Sequence, residues 1–331
     1  MKPLVTFLMP VKNAAPFLAQ TLASLKAQSY TNWELIAIDD HSQDSSQTIL
    51  DNASQKDPRV KVFKNKGAGI IPALEQARQA AQGTYLGRLD ADDLFPPQRL
   101  KIMVSALSRS KKRTVVTGQV RYFGEPEISP GYRKYEKWLN ANLTDANPWK
   151  QVYRECVVAS PNWLMRSREL EEMGGFKDLQ YPEDYDLVFK WYAAGYALHS
   201  LPEVTLLWRE HPLRTSRQSE HYQQKAFFTL KLQRFLEIES PTHNLVLWGE
   251  GAKARLSAKF FKDKGQPFHW LSLSPKKATP QRQALEHYSI LETYPKPKVL
   301  VAVYPPKAHR LKMENYFRNL GLVEGQDWWY L

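Results

Sequence analysis

The sequence contains one cysteine, Cys156, among its 331 residues, and no uninterrupted apolar run long enough to cross a membrane. A single cysteine excludes an internal disulfide and favours a reducing compartment, so we expect a cytoplasmic protein. Internal repeats and low-complexity tracts are also lacking, which argues against solenoid and disordered classes. The composition that remains is that of an ordinary globular protein, 43% hydrophobic and 24% charged, and the chain is long enough for two domains.

Positive charge is in excess, with a formal net charge of +12. Residues 243–331 hold 14 Lys and Arg against 7 Asp and Glu, so the C-terminal part is the more basic per residue. This excess indicates an anionic partner such as a nucleotide, a polyanion or an anionic membrane surface, although solubility alone would also explain it.

Strand and helix patterns alternate over the first 110 residues. The spacing of apolar residues predicts strands at 4–10, 33–40, 60–63 and 84–90, and helices at 14–28, 45–55, 70–83 and 97–110. Asp44 is the expected N-cap of the second helix. This order predicts a mainly parallel sheet with helices on both faces, in which ligands bind beyond the carboxyl ends of the strands.

The pattern loosens after residue 110 and later begins again. We expect a strand at 114–123, a surface helix at 132–143, a strand at 158–167, a helix at 182–195, two short strands within 197–211 and a helix at about 220–238. A polar linker containing Pro241 follows, and a second run of strand, glycine and helix signals starts at 244. We therefore predict two domains, 1–240 and 241–331.

Polar residues follow three of the predicted strands, in "MPVKN" (9–13), "IDDHS" (38–42) and "LDADD" (89–93). In the last of these, Asp90, Asp92 and Asp93 repel one another unless they are solvated in a turn or share a cation. Mg²⁺ and Mn²⁺ prefer such oxygen ligands and commonly bridge to phosphates. The position at a strand end favours a metal over a solvated turn.

Asp39 and Asp40 close the second predicted strand. A carboxylate at this place can accept a hydrogen bond from a nucleotide base or a ribose hydroxyl. The alternative is helix capping, for which Ser42 or Asp44 is better placed.

Two further polar groups lie later in the chain. Glu183 and Asp184 open a helix, where the helix dipole favours negative charge, and either a good helix start or a general base would explain them. Arg209, His211 and Arg214 lie in "WREHPLRTS". A histidine between arginines could bind a diphosphate, complete a metal shell, or simply pack at the surface.

Taken together and in this order, the motifs resemble the inverting family 2 glycosyltransferases with a GT-A fold. The similar stretches are "MPVKN", "IDDHS", "RLDADD" (88–93), "GGF" followed by "YPEDYDL" (181–187), and "WREH" (208–211). The resemblance implies an α/β nucleotide-diphospho-sugar transferase fold, with a mixed, mainly parallel sheet sandwiched by helices. A small C-terminal Rossmann-like α/β domain would follow it.

The same resemblance implies a role for each motif residue. Asp184 would be the catalytic base, and Asp92 and His211 would ligate Mn²⁺ or Mg²⁺. Asp39 would contact the nucleotide base, and Arg88 would steady the phosphates. The residues expected to bind the nucleotide sugar are Pro10, Asn13, Asp39, Asp40, Arg88, Asp90, Glu183 and Arg209.

The activity implied is transfer of a sugar from a nucleotide-diphosphate donor, UDP-linked in our expectation, to a saccharide or lipid-linked acceptor with inversion. The chain lacks the membrane helices and the Gln-x-x-Arg-Trp signature of processive synthases, so we expect single additions in cell-envelope polysaccharide synthesis. Peripheral contact with an anionic inner membrane face is compatible with the basic charge. Segment 110–165, with Trp138, Trp149 and Trp163, would shape the acceptor pocket. No nucleic-acid partner is expected.

Two other functions stay open on the sequence alone. A nucleotidyltransferase normally has a glycine-rich loop after its first strand, and "MPVKNAAPFL" (9–18) has no glycine. A non-catalytic nucleotide-binding protein is the second alternative. It would use the C-terminal part, where "GEGAKA" (249–254) after "LVLW" approximates a dinucleotide fingerprint. The acidic ribose partner expected downstream is missing, and Ser272 and Ser274 stand there instead, so we expect no bound cofactor.

Overall fold

The computed structural model describes residues 2–125, 127–240, 244–272 and 285–331. Packing divides the chain into two compact units, one formed by Met1–Ala146 and Val157–Gln223 and the other by Asn147–Cys156 and Gln224–Leu331. Segment 147–156 thus belongs with the C-terminal strands. Residues 241–243 of the predicted linker, and Ser274, lie outside the described residues.

Seven strands form the sheet of the first unit: β1 (Val5–Val11), β2 (Trp33–Asp39), β3 (Val60–Lys64), β4 (Tyr85–Arg88), β5 (Thr114–Gly124), β6 (Leu164–Arg166) and β7 (Ala197–Glu210). Their order is β3-β2-β1-β4-β6-β5-β7. β6 runs antiparallel to β4 and β5, and the other pairs are parallel, which confirms the predicted mixed, mainly parallel sheet. The carboxyl ends of β1, β2, β4, β5 and β7 therefore share one edge.

Eight α-helices cover this sheet: α1 (Ala15–Lys26), α2 (Ser46–Lys56), α3 (Ile70–Ala80), α4 (Arg99–Arg109), α5 (Pro130–Asn142), α6 (Ser167–Glu172), α7 (Glu183–Ala193) and α8 (Thr215–Gln218), counted over the described part of the unit. A short 3₁₀ turn follows at Glu220–Tyr222. The longer helices form because apolar residues recur every three or four positions. In α1 these are Leu18, Leu22 and Leu25, all buried against the sheet.

The core of the first unit lies between the sheet and its helices. Every residue of β2 is buried, and so are six of the seven in β1, as expected for central parallel strands. Phe7 of β1 meets Phe95 edge to face, with ring centroids 5.1 Å apart. Burial of each such side chain stabilises the fold by about 1.5 to 3 kcal/mol.

The sequence predicted Asp44 as the N-cap of α2, but Ser45 occupies the N-cap position. The Asp44 carboxylate instead accepts from the main-chain N–H of Ser46 at 2.9 Å and of Ala15 at 3.0 Å. One carboxylate therefore serves the first turns of two helices, α1 and α2, which local sequence cannot show.

Three other element predictions need correction. Only Leu164–Arg166 of the predicted strand 158–167 pairs in the sheet; the residues before it pack as a mostly buried loop. The two short strands predicted within 197–211 are one strand, β7, in which Pro202 falls at a register shift against β5 and does not end the pairing. The helix predicted from about 220 starts at Gln224, after the 3₁₀ turn.

The second unit contains a smaller sheet of five parallel strands in the order β10-β9-β8-β11-β12. Its described elements are a 3₁₀ turn (Pro148–Gln151), α9 (Gln224–Glu239), β8 (Leu245–Trp248), α10 (Ala252–Asp263), β9 (His269–Ser272), β10 (Glu286–His287), a 3₁₀ turn (Tyr288–Thr293), β11 (Lys298–Val301), α11 (Lys307–Asn319) and β12 (Trp328–Tyr330). Trp248, Phe317 and Trp328 form the aromatic centre of its core. Within the described residues, no helix combines the length and the apolar character needed to cross a bilayer.

Gly124 ends β5 with a φ of +137°, and a β-carbon there would lie 2.2 Å from the carbonyl oxygen of Glu210 on β7. We expect Gly124→Ala to lower the free energy of unfolding by about 2 to 4 kcal/mol. Gly131→Ala in α5 is the matched control, because a β-carbon there would meet no atom nearer than 3.8 Å. Urea denaturation followed by circular dichroism measures both variants, and equal stabilities would contradict the expectation.

Candidate active site

Arg88 lies at the centre of the carboxyl edge of the first sheet, at the end of β4, and is 5% exposed. Its Nε donates to Asp90 Oδ1 at 2.6 Å, and its Nη1 donates to Glu183 Oε1 at 2.9 Å. Charge-assisted bonds of this kind are the strong ones in proteins. One side chain thus joins the acidic strand end to the first turn of α7, 95 positions later.

The charges of this group depend on one another. Burial alone would lower the pKa of Arg88, but the negative charges of Asp90 and Glu183 raise it above its ordinary value. Burial raises the pKa of Asp90, the Arg88 charge opposes this, and Asp92 adds to the rise. The guanidinium therefore stays charged and holds two carboxylates that would otherwise repel each other.

Glu183 and Asp184 are adjacent, but their surroundings differ. Both oxygens of the buried Glu183 accept hydrogen bonds, one from Arg88 and one from the hydroxyl of Tyr222. Asp184 is half-buried, and its Oδ1 accepts from the main-chain N–H of Tyr185 at 2.8 Å. Burial, and then the negative charge of Glu183, raise the pKa of Asp184 to about 7.

The wall behind Asp184 explains why burial raises the pKa of this carboxyl so far. The cavity that Asp184 lines with Arg88 and Glu183 is otherwise mostly apolar, with walls formed by Leu74, Val158, Ala159, Ser160, Trp163, Phe176, Leu187, Val188 and Trp191. An ionised carboxylate is poorly solvated in such a place. A carboxyl group with a pKa near neutrality can accept a proton as a general base.

Asp92 and His211 come together from β4 and β7. His211 Nε2 lies 2.9 Å from Asp92 Oδ2, and the ring of Phe17 packs against the imidazole with centroids 4.1 Å apart. Arg209 Nε donates to the main-chain oxygen of Asp92 at 2.6 Å, which fixes the strand end. Carboxylate oxygen and imidazole nitrogen are both ligands that Mn²⁺ accepts.

No cluster of three or more His, Cys, Asp or Glu that could hold a metal occurs among the described residues. The protein therefore offers two convergent ligands at this place, Asp92 and His211. That number fits a Mg²⁺ or Mn²⁺ site in which substrate phosphates and water complete the coordination, since these ions are commonly bound by one or two protein side chains.

Asp93, the third carboxylate of the motif, is 1% exposed and has a different role from its neighbours. Its Oδ1 accepts from the main-chain N–H of Arg209 at 2.7 Å, so it ties the end of β4 to β7. Burial, followed by the charges of Asp92 and Asp90, holds the pKa of Asp93 well above its usual range.

The residues expected around the nucleotide base meet at the ends of β1 and β2. Asp39 Oδ2 accepts from the main-chain N–H of Ser42 at 3.2 Å, whereas its buried Oδ1 has no partner among the described residues. Asn13 has a φ of 50°, and its Oδ1 accepts from the N–H of Gln43 at 2.8 Å. Pro10 is half-buried beside Ile38. Asp39 thus has one buried acceptor oxygen with no partner in the described part of the chain, while Asn13 shapes the loop.

Asp40 is held by protein groups. Its Oδ1 accepts from Asn65 Nδ2 at 2.6 Å and from the N–H of Gly69 at 2.9 Å, and Oδ2 lies 3.2 Å from Lys12 Nζ. Burial would raise its pKa, but these bonds, led by that from Gly69, leave the pKa lowered. The side chain fixes the loop that precedes α3.

Sequence reasoning missed Tyr181, His221 and Tyr222. The ring of Tyr181 stacks on His221 with centroids 4.1 Å apart, and burial and the Glu183 charge raise the pKa of the Tyr181 hydroxyl. Burial and the Glu183 charge raise the pKa of Tyr222. Tyr181 lies within the "YPEDYDL" motif and could have been singled out. Tyr222 lies in a polar stretch with no recognisable pattern.

Of the three tryptophans expected to shape the acceptor pocket, Trp163 lines the Asp184 cavity from within the core. Trp163 is 2% exposed and meets Trp191 edge to face at 5.6 Å, so its ring is part of the core and cannot stack on a sugar. Trp138 stacks on Tyr135 at 5.8 Å and packs against the core. Trp149 belongs to the second unit. For Trp163, apolar burial outweighs ligand stacking, as is common for aromatic side chains.

Comparison with known sequences gives a consistent family. The model of the family described as "Glycosyl transferase family 2" matches residues 6–174, a little more than half of the chain. An uncharacterized glycosyltransferase of Haemophilus influenzae is 28% identical over 235 residues, which are 69% of this chain and 72% of that protein. The uncharacterized protein y4gI of Sinorhizobium fredii is 27% identical over 221 residues, 63% of this chain but 23% of that protein. The chain therefore spans less than a quarter of y4gI.

A solved structure shares the architecture. The crystal structure of S. aureus TarS 1–349 in complex with UDP-GlcNAc matches with a TM-score of 0.53 and 17% identity, over 72% of this chain and 67% of that one. At this identity the similarity speaks for the fold alone. It confirms the GT-A arrangement predicted from the motifs.

Because the pKa of Asp184 is raised, we expect ionisation of this carboxyl to lower the free energy of unfolding as the pH rises. A carboxyl whose folded-state pKa is about 7, above its ordinary 3.8, stabilises the fold below pH 3.8, and this contribution is lost as the pH rises through 7. Asp184→Asn carries no charge at any pH, so its melting temperature should gain on wild type between about pH 4 and about pH 8. Thermal denaturation in EDTA measures this, with the exposed Asp51→Asn as control. A difference that does not change with pH would refute the assignment.

Proposed function

This chain belongs to glycosyl transferase family 2, and from that premise we propose that it transfers a sugar from a nucleotide-diphosphate donor, UDP-linked, to an acceptor hydroxyl with inversion. One observation carries the proposal: Arg88 bonds Asp90 and Glu183 together. The motif expected to hold the donor thereby lies beside the expected base, Asp184. The family assignment leaves the nucleotidyltransferase and binding-protein alternatives without support.

Asp184 is the proposed general base. An acceptor hydroxyl is a weak nucleophile, so a carboxylate must take its proton as its oxygen attacks the anomeric carbon. The bond from that carbon to the diphosphate breaks on the opposite face, which inverts the centre in one displacement. With a pKa of about 7, about half of the Asp184 carboxyls are ionised at neutral pH and able to accept this proton. Glu183, with both oxygens bonded, holds its place in the helix turn.

Asp92 and His211 are the proposed ligands of a divalent cation, Mn²⁺ or Mg²⁺. Bound there, the ion would neutralise charge on the departing diphosphate. The chain itself prepares the place: Arg209 holds the Asp92 main chain, and Asp93 holds that of Arg209. These two hydrogen bonds hold the ligands of the proposed ion in place before substrate binds, which is the role of supporting contacts in metal sites.

Asp39 is the proposed contact to the nucleotide base. A buried acceptor oxygen with no partner among the described residues costs stability unless a ligand donor reaches it. A ring N–H of uracil could supply that donor. The TarS complexes with UDP and UDP-GlcNAc agree with a uridine donor on this fold.

The proposals for the location of the enzyme and for its acceptor rest on the net charge and on the family. The net charge of +12 suits contact with an anionic leaflet, so we place the enzyme in the cytoplasm, peripheral to the inner membrane face. Its acceptor would be a saccharide or a lipid-linked intermediate of cell-envelope polysaccharide. The five parallel strands of the second unit suit a Rossmann-like domain.

Asp184→Asn should lower kcat about 10² to 10⁴-fold with little change in KM for the donor, because it removes the base and leaves donor contacts in place. Asp51→Asn, an exposed substitution of the same chemistry, should keep wild-type rates. Release of UDP from a panel of UDP-sugars with a saccharide acceptor measures both. Unaltered transfer in the Asp184 variant would rule out the proposed base.

The transfer should require a divalent cation. Treatment with EDTA should abolish it and MnCl₂ should restore it in the wild type. Asp92→Ala and His211→Ala should each raise the Mn²⁺ concentration for half-maximal rate about tenfold or more. Asp51→Ala is the control. Full activity in EDTA would overturn the metal assignment while leaving the proposed base untouched.

A further inference from the structure

The second sheet has a carboxyl edge of its own, where the connecting loops diverge. β8 and β11 are neighbours in the middle of the strand order and end in register at Trp248 and Val301. The chain leaves β8 through α10 towards β9 on one side, and leaves β11 through α11 towards β12 on the other. In open parallel sheets a crevice forms between loops that diverge in this way, and ligands bind there.

Both helices that begin at this crevice carry cations in their first turns. Lys253 lies in α10, and Lys307 and Arg310 lie in α11. Neither first turn contains an acidic residue, and neither N-cap, Gly251 or Pro306, caps the helix with a side-chain hydrogen bond. Positive charge here opposes the helix dipole. The placement becomes favourable when an anion lies between the cations.

Two more cations reach the same place from other segments. Lys231 of α9 is 6% exposed, and its ammonium donates to a neutral acceptor, the main-chain oxygen of Arg154, at 3.0 Å. The guanidinium carbon of Arg154 lies 4.1 Å from the centre of the Tyr304 ring, which Arg310 covers at 5.0 Å. Lys253 donates to a main-chain oxygen of Leu331 at 2.8 Å.

The nearby carboxylates offset only part of this charge. Glu155 lies close enough to raise the pKa of Lys231, yet burial and the ammonium of Lys253 still lower that pKa to about 8. Glu314 Oε1 lies 3.6 Å from Arg310 Nε and accepts from the hydroxyl of Tyr330. Five cations, Lys231, Lys253, Lys307, Arg154 and Arg310, therefore outnumber the three carboxylates of Glu155, Glu250 and Glu314, and positive charge is in excess here.

We propose that this crevice binds a phosphate-bearing small molecule, with its phosphate between Lys253 and Arg310 and its remaining part against Tyr304. Tyr304 is 50% exposed although Arg154 and Arg310 lie over its ring, so part of the side chain is open to a ligand. The contact does not follow the dinucleotide pattern, because Ser272, at the position of the usual acidic ribose partner, bonds to Glu250. The site is separate from the proposed transfer site and does not depend on it.

The test measures binding of pyrophosphate to the full chain in EDTA by titration calorimetry. Wild type should show saturable binding, and the double variant Lys253→Gln with Arg310→Gln should lose about tenfold or more in affinity. The matched control is Lys259→Gln with Lys312→Gln, which removes one exposed charge from each of the same helices. The control should stay within about twofold of wild type, because distant charges are screened.

Hydrogen exchange of the wild-type chain locates the site without any substitution. Pyrophosphate should slow exchange in 249–256 and 302–311. The proposal fails if wild type shows no saturable binding, if the control pair loses as much affinity as the test pair, or if protection is confined to 88–93 and 209–211. Because no sugar transfer is measured, failure of the proposed transferase activity would leave this result unaffected.

Discussion

The buried ion pairs of Arg88 are the interaction on which the candidate active site depends. A guanidinium in a low-dielectric place is costly unless carboxylates pair with it, and Asp90 and Glu183 both do. In return, Arg88 keeps two acidic segments, far apart in the chain, in contact across the end of the sheet. Without it, Glu183 would be buried with only the Tyr222 hydroxyl, and the position of Asp184 would lose its anchor.

Negative charge accumulates around this pair. The pKa values of Asp90, Asp93 and Asp184 are all raised, first by burial and then by neighbouring carboxylates. The carboxyl edge of the first unit therefore concentrates several carboxylates, and Arg88 and Arg209 bond to the segment that carries them. The second unit also has neighbouring parallel strands that are followed by helices, but Lys253 and Arg310 lie in the first turns of those helices. The carboxyl ends of parallel strands thus carry side chains of opposite charge in the two units.

Sequence patterns predicted regular elements well where one helix or strand buries one face. The strand predicted at 114–123 is β5 to within one residue, and the strand ends that carry Asp39 and Asp90 lie where the alternation put them. Sequence patterns failed where buried residues pack in a loop instead of pairing with a neighbouring strand, as in the segment before β6. They also failed for Pro202, because a register shift absorbed a residue that usually ends a strand.

The sequence by itself determined the fold class, the acidic strand ends and the residues able to ligate, donate or accept, because periodicity and side-chain chemistry are local properties. Only the tertiary structure decided how adjacent carboxylates divide their roles. Asp39 has one oxygen with no partner among the residues that the structure describes, whereas Asp40 accepts hydrogen bonds from the loop before α3. Both oxygens of Glu183 accept hydrogen bonds, whereas Asp184 titrates near pH 7. The reason is physical: burial and hydrogen-bond partners come from residues distant in the chain, and they set which carboxylate is available.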